Sequence, residues 1–143
     1  MQSIRKSVLI AHSAQAMFDL IDDVECYPTF LPWCGGVVVH ERTDDITDAT
    51  IHIHSLGLKT TFRTRNGNDR PTRIIMHFVD GPFRALAGEW RLTALDTHAC
   101  KIEFALDYAF SNKIVEKMIG PMFDKIATTF VDAFVKQAHV LLQ

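Results

Sequence analysis

ACKIEFALDYAF (residues 99–110) followed, after Ser111, by NKIVEKMIGPMFDKIATTFVDAFVKQAHVLL (residues 112–142) is the stretch on which the fold turns. Within it the hydrophobic period changes from two to about 3.6 residues. In the first part Cys100, Ile102, Phe104, Leu106, Tyr108 and Phe110 fall on one side, and Lys101, Glu103 and Asp107 on the other. That is the pattern of an antiparallel strand with one buried and one wetted face. In the second part Ile114, Met118, Met122, Ile126, Phe130 and Phe134 run down one line, with Val115, Ile119, Phe123, Ala127, Val131 and Val135 beside it. This apolar arc is wider than a surface helix needs, and about 30 residues make a helix of about 45 Å. Such a helix has to be enclosed. Gly120-Pro121 is expected to bend it, since proline lacks the donor and crowds the preceding turn.

Working back from this end, the segments that could enclose the helix are strands. A strand is expected near Ile4–Ala11, then a helix over Ala14–Ile21 with Ser13 as its N-cap. The aromatic run from Val24 to Trp33 holds Pro28 and Pro32 and reads as a short helix or turn. Strands follow over Gly36–Arg42, Ala49–Ser55, Leu58–Arg65, Thr72–Val79, Gly88–Leu95 and Ala99–Phe110. Asn66-Gly67 is a hairpin signal, because both residues accept positive φ. Short polar connections between successive strands imply a meander and not βαβ units. The expected fold is therefore α+β: seven curved antiparallel strands wrapped around a long C-terminal helix, with two short helices after the first strand, in one domain over residues 1–143.

Composition narrows the function classes. The chain is 48% hydrophobic and 22% charged with a formal net charge of -2, so bulk charge does not make it a polyanion binder. Its three cysteines, Cys26, Cys34 and Cys100, form no CxxC pair and read as free thiols in a reducing compartment. Residues 1–10 are too short and polar for a signal peptide, and no run of about 18 apolar residues is present, so a cytoplasmic protein is expected.

The faces expected to look at the helix carry Leu58, Thr60, Phe62 and Thr64, then Thr72, Ile74, Met76 and Phe78, then Trp90 and Leu92, then the inward set of the last strand. This surface holds hydroxyls and aromatics but almost no acid, base or amine, which argues against general acid–base catalysis. Two apolar segments look like cavity rims. One is Tyr27 to Trp33, with Phe30 and Leu31 between them; the other is Asp80 to Leu86, with Phe83. His52 and His54 share a strand face, but no further metal ligands accompany them. Lys59, Arg63, Arg65 and Arg73 make an outward basic stripe that could meet phosphates of RNA or of lipid headgroups.

Val24-x-x-Tyr27-Pro28-x-Phe30-Leu31-Pro32-x-Cys34, Val79-Asp80-Gly81-Pro82-Phe83 with Gly88-x-Trp90, and Ile102-Glu103-Phe104 with Phe110-x-Asn112-Lys113 together resemble the RatA-type proteins. These are bacterial relatives of the mitochondrial coenzyme Q-binding START-domain proteins. The resemblance covers essentially the whole chain. It implies a helix-grip fold, and a cavity between sheet and helix for a lipid-like molecule, with ubiquinone the leading ligand and no required cofactor. It implies a second role as a toxin that hinders joining of the ribosomal subunits through the large one. Polyketide cyclases and aromatases are more distant relatives. No catalytic residue is carried over.

The expected ligand-binding set is thus Tyr27, Phe30, Leu31 and Trp33 from the first rim and Phe83 from the second. Phe62, Met76, Phe78, Trp90, Phe104 and Tyr108 join from the strands, and Met118, Met122 and Phe123 from the helix. The Ile114–Phe123 half of the helix is expected to be the cavity lid, and the Phe130–Leu142 half to be more like solid packing, from which Phe130, Val131, Phe134 and Val135 could still reach a long tail. A host for a polyprenyl chain is also expected to touch the inner-membrane surface.

Overall fold

A computed structural model of the chain describes residues 1–142. Strand β1 (Gln2–Ile10) leads into helix α1 (Ala14–Asp22), a single 3-10 turn (Val24–Cys26) and helix α2 (Tyr27–Phe30). Strands β2 (Cys34–Arg42), β3 (Ile46–Ser55), β4 (Leu58–Asp69), β5 (Arg73–Asp80), β6 (Phe83–Asp96) and β7 (Ala99–Phe110) follow, and helix α3 (Lys113–Leu141) closes the chain. The seven strands form one curved antiparallel sheet in the order β1-β7-β6-β5-β4-β3-β2. Six consecutive strands make the meander, and β1 joins it by pairing with β7, Val8 opposite Ile102. The sheet-around-helix arrangement read from residues 99–142 is the one observed.

β7 shows why that reading works. Cys100, Ile102, Phe104, Leu106 and Tyr108 are all 5% exposed or less, and each alternates with a partly wetted neighbour. α3 is one helix of 29 residues with Pro121 inside it, and Asn112 caps it by accepting from the Val115 N–H at 2.9 Å. Its burial is uneven. Met122, Phe123, Ile126, Ala127, Val131, Phe134 and Ala138 are buried, whereas Ile114 is 72% and Met118 59% exposed. In the first two turns only Val115 and Ile119 pack against the core. The helix comes up against it at Gly120, beside the Phe110 ring at the end of β7.

Two expected connections lie elsewhere. Asn66 and Gly67 are not a hairpin turn; they sit inside β4, opposite Met76 and Ile75 of β5. The turn falls at residues 70–72, where the Thr72 N–H donates to the Asp69 carbonyl at 2.8 Å. Pro71 has no N–H for a ladder, so the chain turns there. The second expected rim is shorter than read. β6 begins at Phe83, which pairs with Phe110, and Leu86 pairs with Tyr108, so only Gly81-Pro82 remains as the bend. Gly81 has φ of +153°, and a Cβ there would lie 2.9 Å from the Phe62 Cβ, so glycine is required on both counts.

α1 is capped by Ser13, whose Oγ accepts from the Ala16 N–H at 3.1 Å. Its last residue, Asp22, is 4% exposed. The Asp22 carboxylate accepts from Thr47 Oγ1 at 2.6 Å, Asn68 Nδ2 at 3.3 Å and Arg42 Nη1 at 3.2 Å, and also from Arg70 Nη2. One carboxylate therefore fastens α1 to β2, β3 and the end of β4. At the sheet's edge, β2 slips register twice against β3, between Cys34 and Gly36 and between Val39 and Glu41.

Candidate functional site

Two mainly apolar spaces adjoin α3. The first is an interior cavity of about 40 Å³ between the sheet and the helix. Ile21, Val24 and Tyr27 close one end, and Ala49, Ile51, Phe62, Thr64, Asn66, Ile74, Met76 and Trp90 supply the sheet wall. Trp33 and Phe130 complete it. The second is a surface groove of about 790 Å³ along α3. Leu31, Pro32 and Trp33 form one bank with His54, Ser55 and Leu56 of the β3–β4 turn, and Pro121, Met122, Ile126, Thr129 and Ala133 form the helical bank, edged by Lys125, Asp132 and Lys136. Leu56 is 93% exposed at the tip of that turn, with φ of +53°. Trp33 belongs to both spaces, its indole 6.1 Å from the Phe130 ring. It is the partition between them.

The expected binding residues divide accordingly. Tyr27, Trp33, Phe62, Met76 and Trp90 line the cavity, and Leu31 and Met122 line the groove. Phe30 and Phe104 stand one layer behind: Phe30 is 5.4 Å from Phe134, and Phe104 is 4.4 Å from Trp90. Phe78, Phe83, Tyr108 and Phe123 gather with Phe110 into an aromatic cluster that meets the cavity wall through Phe62, 6.2 Å from Phe123, and in it the ring centroids of Phe83 and Phe123 lie 4.8 Å apart. Met118 lines neither space, because it points to solvent at that turn while Val115 and Ile119 face the core. The lid half of the helix is thus corrected. Phe130, one of the residues of the second half expected to be able to reach a long tail, is the helical residue at the cavity. Asn66 also escaped the sequence reading, since it was placed in a turn. The signal was there: Phe62, Thr64, Asn66 and Asn68 continue one period-two face.

The chemistry of the lining is sparse. Tyr27 donates its hydroxyl to the Ile21 carbonyl, and burial, with the Asp22 carboxylate nearby, pushes its phenol far above the ordinary range. Thr64 and Asn66 are the remaining polar side chains, and the cavity wall holds no carboxylate, imidazole, amine or thiol. In the neighbouring aromatic cluster Tyr108 donates to Asp124 Oδ1 of α3, and burial, then that bond, raises its phenol as well. Tyr108→Phe is expected to lower stability by about 1 kcal/mol without touching the cavity, checked by urea unfolding.

The basic stripe is not a free positive field. Arg63 grips Asp48 through two bonds of 2.8 and 3.0 Å, and Arg65 bonds Glu41 at 2.9 Å and Asp48 at 3.2 Å. Arg73 pairs with Glu89 at 3.0 Å, and Lys59 is exposed. The acids sit on the adjoining strands of the same outer face, which strand pairing alone brings about. The Arg63 guanidinium, chiefly by its hydrogen bond, holds the Asp48 carboxyl below the usual carboxylate value. A depressed native pKa contributes stability that is complete above the unfolded value and is lost as pH falls through the folded one. Asp48→Asn should therefore flatten the acid limb of the stability curve below about pH 4, measured as the thermal midpoint against pH. His52 and His54 do lie on the outer face of β3, and the His54 ring covers Gly35, where a Cβ would come within 2.8 Å of it. Among the described residues no group of three or more candidate metal ligands converges.

A curved antiparallel sheet gripping a long helix over an apolar cavity defines the helix-grip, START-like class of proteins. Residues 10–135 match the family of polyketide cyclase/dehydrase and lipid transport proteins, and the chain belongs to that family. Within it the chain is a RatA homologue. It is 40% identical over 138 residues to the ribosome association toxin RatA of Escherichia coli K12, covering 96% of this chain and 87% of that one. It is 23% identical over 145 residues to the mitochondrial coenzyme Q-binding protein coq10 of Schizosaccharomyces pombe, covering 98% and 88%. The Zhui aromatase/cyclase of Streptomyces superposes with a TM-score of 0.84 at 17% identity, covering 99% and 96%, a likeness of fold alone. Among the described residues no helix is long and apolar enough to cross a membrane.

Proposed function

We propose that this protein binds an elongated apolar molecule with a ring head, an isoprenoid quinone being the leading candidate. The head enters the interior cavity and the chain lies in the groove along α3. The observation that carries this reading is the shared position of Trp33, which lines both cavity and groove and supports taking them as two halves of one site. The lining suits such a ligand, since binding pockets are mainly apolar with few placed polar groups. A polyprenyl tail loses about 0.8 kcal/mol for each methylene left in water, so it needs a host. The absence of an acid or base from the cavity wall supports carriage over cyclisation. The name of the fission-yeast relative points to coenzyme Q.

Solvent extraction of the purified protein followed by mass spectrometry should find a quinone, and added quinone should bind saturably. Finding neither would sink the proposal. Trp33→Ala should open the partition and speed quinone entry severalfold. Of the two tryptophans it leaves Trp90, 2% exposed on the cavity wall, as the reporter. Its quenching in stopped flow reads the rate, and an unchanged rate would place the entrance elsewhere.

A second reading is association with the large ribosomal subunit, favoured by the name of the 40% identical relatives. With Arg63 and Arg65 neutralised by acids, Lys59 is the stripe residue left for a phosphate. Cosedimentation with large subunits, falling steeply with salt, is the result expected. If Lys59→Glu cosediments unchanged, the stripe is not the contact.

A further inference from the structure

Asn66 is the polar side chain of the cavity that the fold does not use. Its Oδ1 is buried and has no hydrogen-bond partner. Its neighbour on the same face, Asn68, also has a buried Oδ1 without a partner, but its Nδ2 is committed to Asp22 Oδ1 at 3.3 Å and Thr47 Oγ1 at 3.0 Å, and it stands outside the cavity lining. A buried acceptor left unpaired is costly, and folded proteins keep few of them. Thr64 lies two residues before Asn66 on β4, so its side chain leaves the same face, and it too lines the cavity. Five ring-bearing side chains, Trp90, Tyr27, Phe62, Trp33 and Phe130, share the rest of the lining with aliphatic residues and Met76.

From the orphaned amide and the aromatic walls we propose that Asn66, assisted by Thr64, anchors a ring oxygen of a planar head group, a proposal that rests on the ligand-binding reading above. An asparagine amide carries an acceptor and two donors. Turned one way it accepts from the hydroxyl of a phenol or hydroquinone; turned the other it donates to the carbonyl of a quinone. The chemical class is thus an oxygenated aromatic or quinonoid ring and not a plain hydrocarbon. The cavity of about 40 Å³ holds a few waters and is smaller than a ring. The ring is admitted when Trp33, which already faces the groove, moves outward.

The test uses the full chain and two probes, a short-chain ubiquinone and the isoprenoid hydrocarbon squalene, each read by displacement of a bound naphthalene dye. Asn66→Leu should weaken ubiquinone binding about tenfold, the effect of one lost buried hydrogen bond, and leave squalene unchanged. Thr64→Val should do the same to a smaller extent. Equal loss for both probes would mean that Asn66 only supports the strand, and the anchor is overturned. Unchanged ubiquinone binding in Asn66→Leu would mean that the amide holds a water only, which overturns the anchor equally. Binding of neither probe by the unaltered protein would remove the ligand-binding reading and the anchor with it. Should Asn66→Leu fail to fold, Asn66→Ala supplies the same comparison between probes.

Discussion

Asp22→Ala is expected to lower the free energy of unfolding by about 3 kcal/mol or more, the loss seen when one partner of a buried ionic cluster is removed. The carboxylate is 4% exposed and has donors from three strands. Without it, Arg42 and Arg70 lose their shared acceptor. Both arginines are about one-third exposed, so they can turn towards water, and each keeps a second acid, Glu25 and Asp19 respectively. Thr47 and Asn68, 0% and 8% exposed, have no such escape: the Thr47 hydroxyl loses its acceptor, and Asn68 Nδ2 keeps only its bond to Thr47 Oγ1. Asp22→Asn keeps an acceptor for Thr47 and should cost less. Urea unfolding reads both, with the midpoint falling and the slope unchanged. A loss below about 1 kcal/mol for Asp22→Ala would show that α1 is held by its apolar face alone.

Phe134→Ala should cost a similar amount, about 3–5 kcal/mol, for a different reason. The ring is 1% exposed, with the rings of Phe130, Tyr27, Phe30 and Trp90 centred 5.0, 5.3, 5.4 and 5.5 Å away. Three of these four neighbours line the interior cavity. The void therefore opens next to existing empty space, and the layer cannot close without displacing several rings. An apolar cavity of about 150 Å³ accepts benzene, so the truncated protein should take up benzene or indole. A ligand at 100 times its Kd adds about 2.7 kcal/mol to the native state. The thermal midpoint of Phe134→Ala should thus rise with added indole while that of the unaltered protein stays put. A variant that loses stability and ignores indole would mean that the helix settles inward and fills the gap.

Much of this architecture is visible in the chain because one face is dry and the other wet. β7 is the plainest case, and its limits coincide with those read from the alternation, Ala99–Phe110. The long helix was also legible, but which of its turns are enclosed was not. Ile114 and Met118 belong to the same apolar line as Met122, and their exposure depends on how the helix is turned there, with Val115 and Ile119 facing the core. Asn66-Gly67 failed for a related reason. A dipeptide suited to a tight turn is also tolerated in a strand once pairing on both sides holds it, Asn66 between Thr47 and Met76. That misreading hid the cavity's orphaned amide. The basic stripe was read correctly as outward, yet its charge balance depends on Asp48 and Glu41, which only register places beside it.

The two register slips in β2 have a consequence for how the protein behaves among its own copies. β2 is an edge of the sheet, and its Val37-Val38-Val39 run, with Val38 49% exposed, is the kind of segment on which a second chain can add a strand. A bulge on either side of that run sharpens the local twist and spoils the straight row of donors and acceptors that an incoming strand needs. The irregularity at this edge thus acts as a guard against fibre growth, built into the backbone of β2 itself.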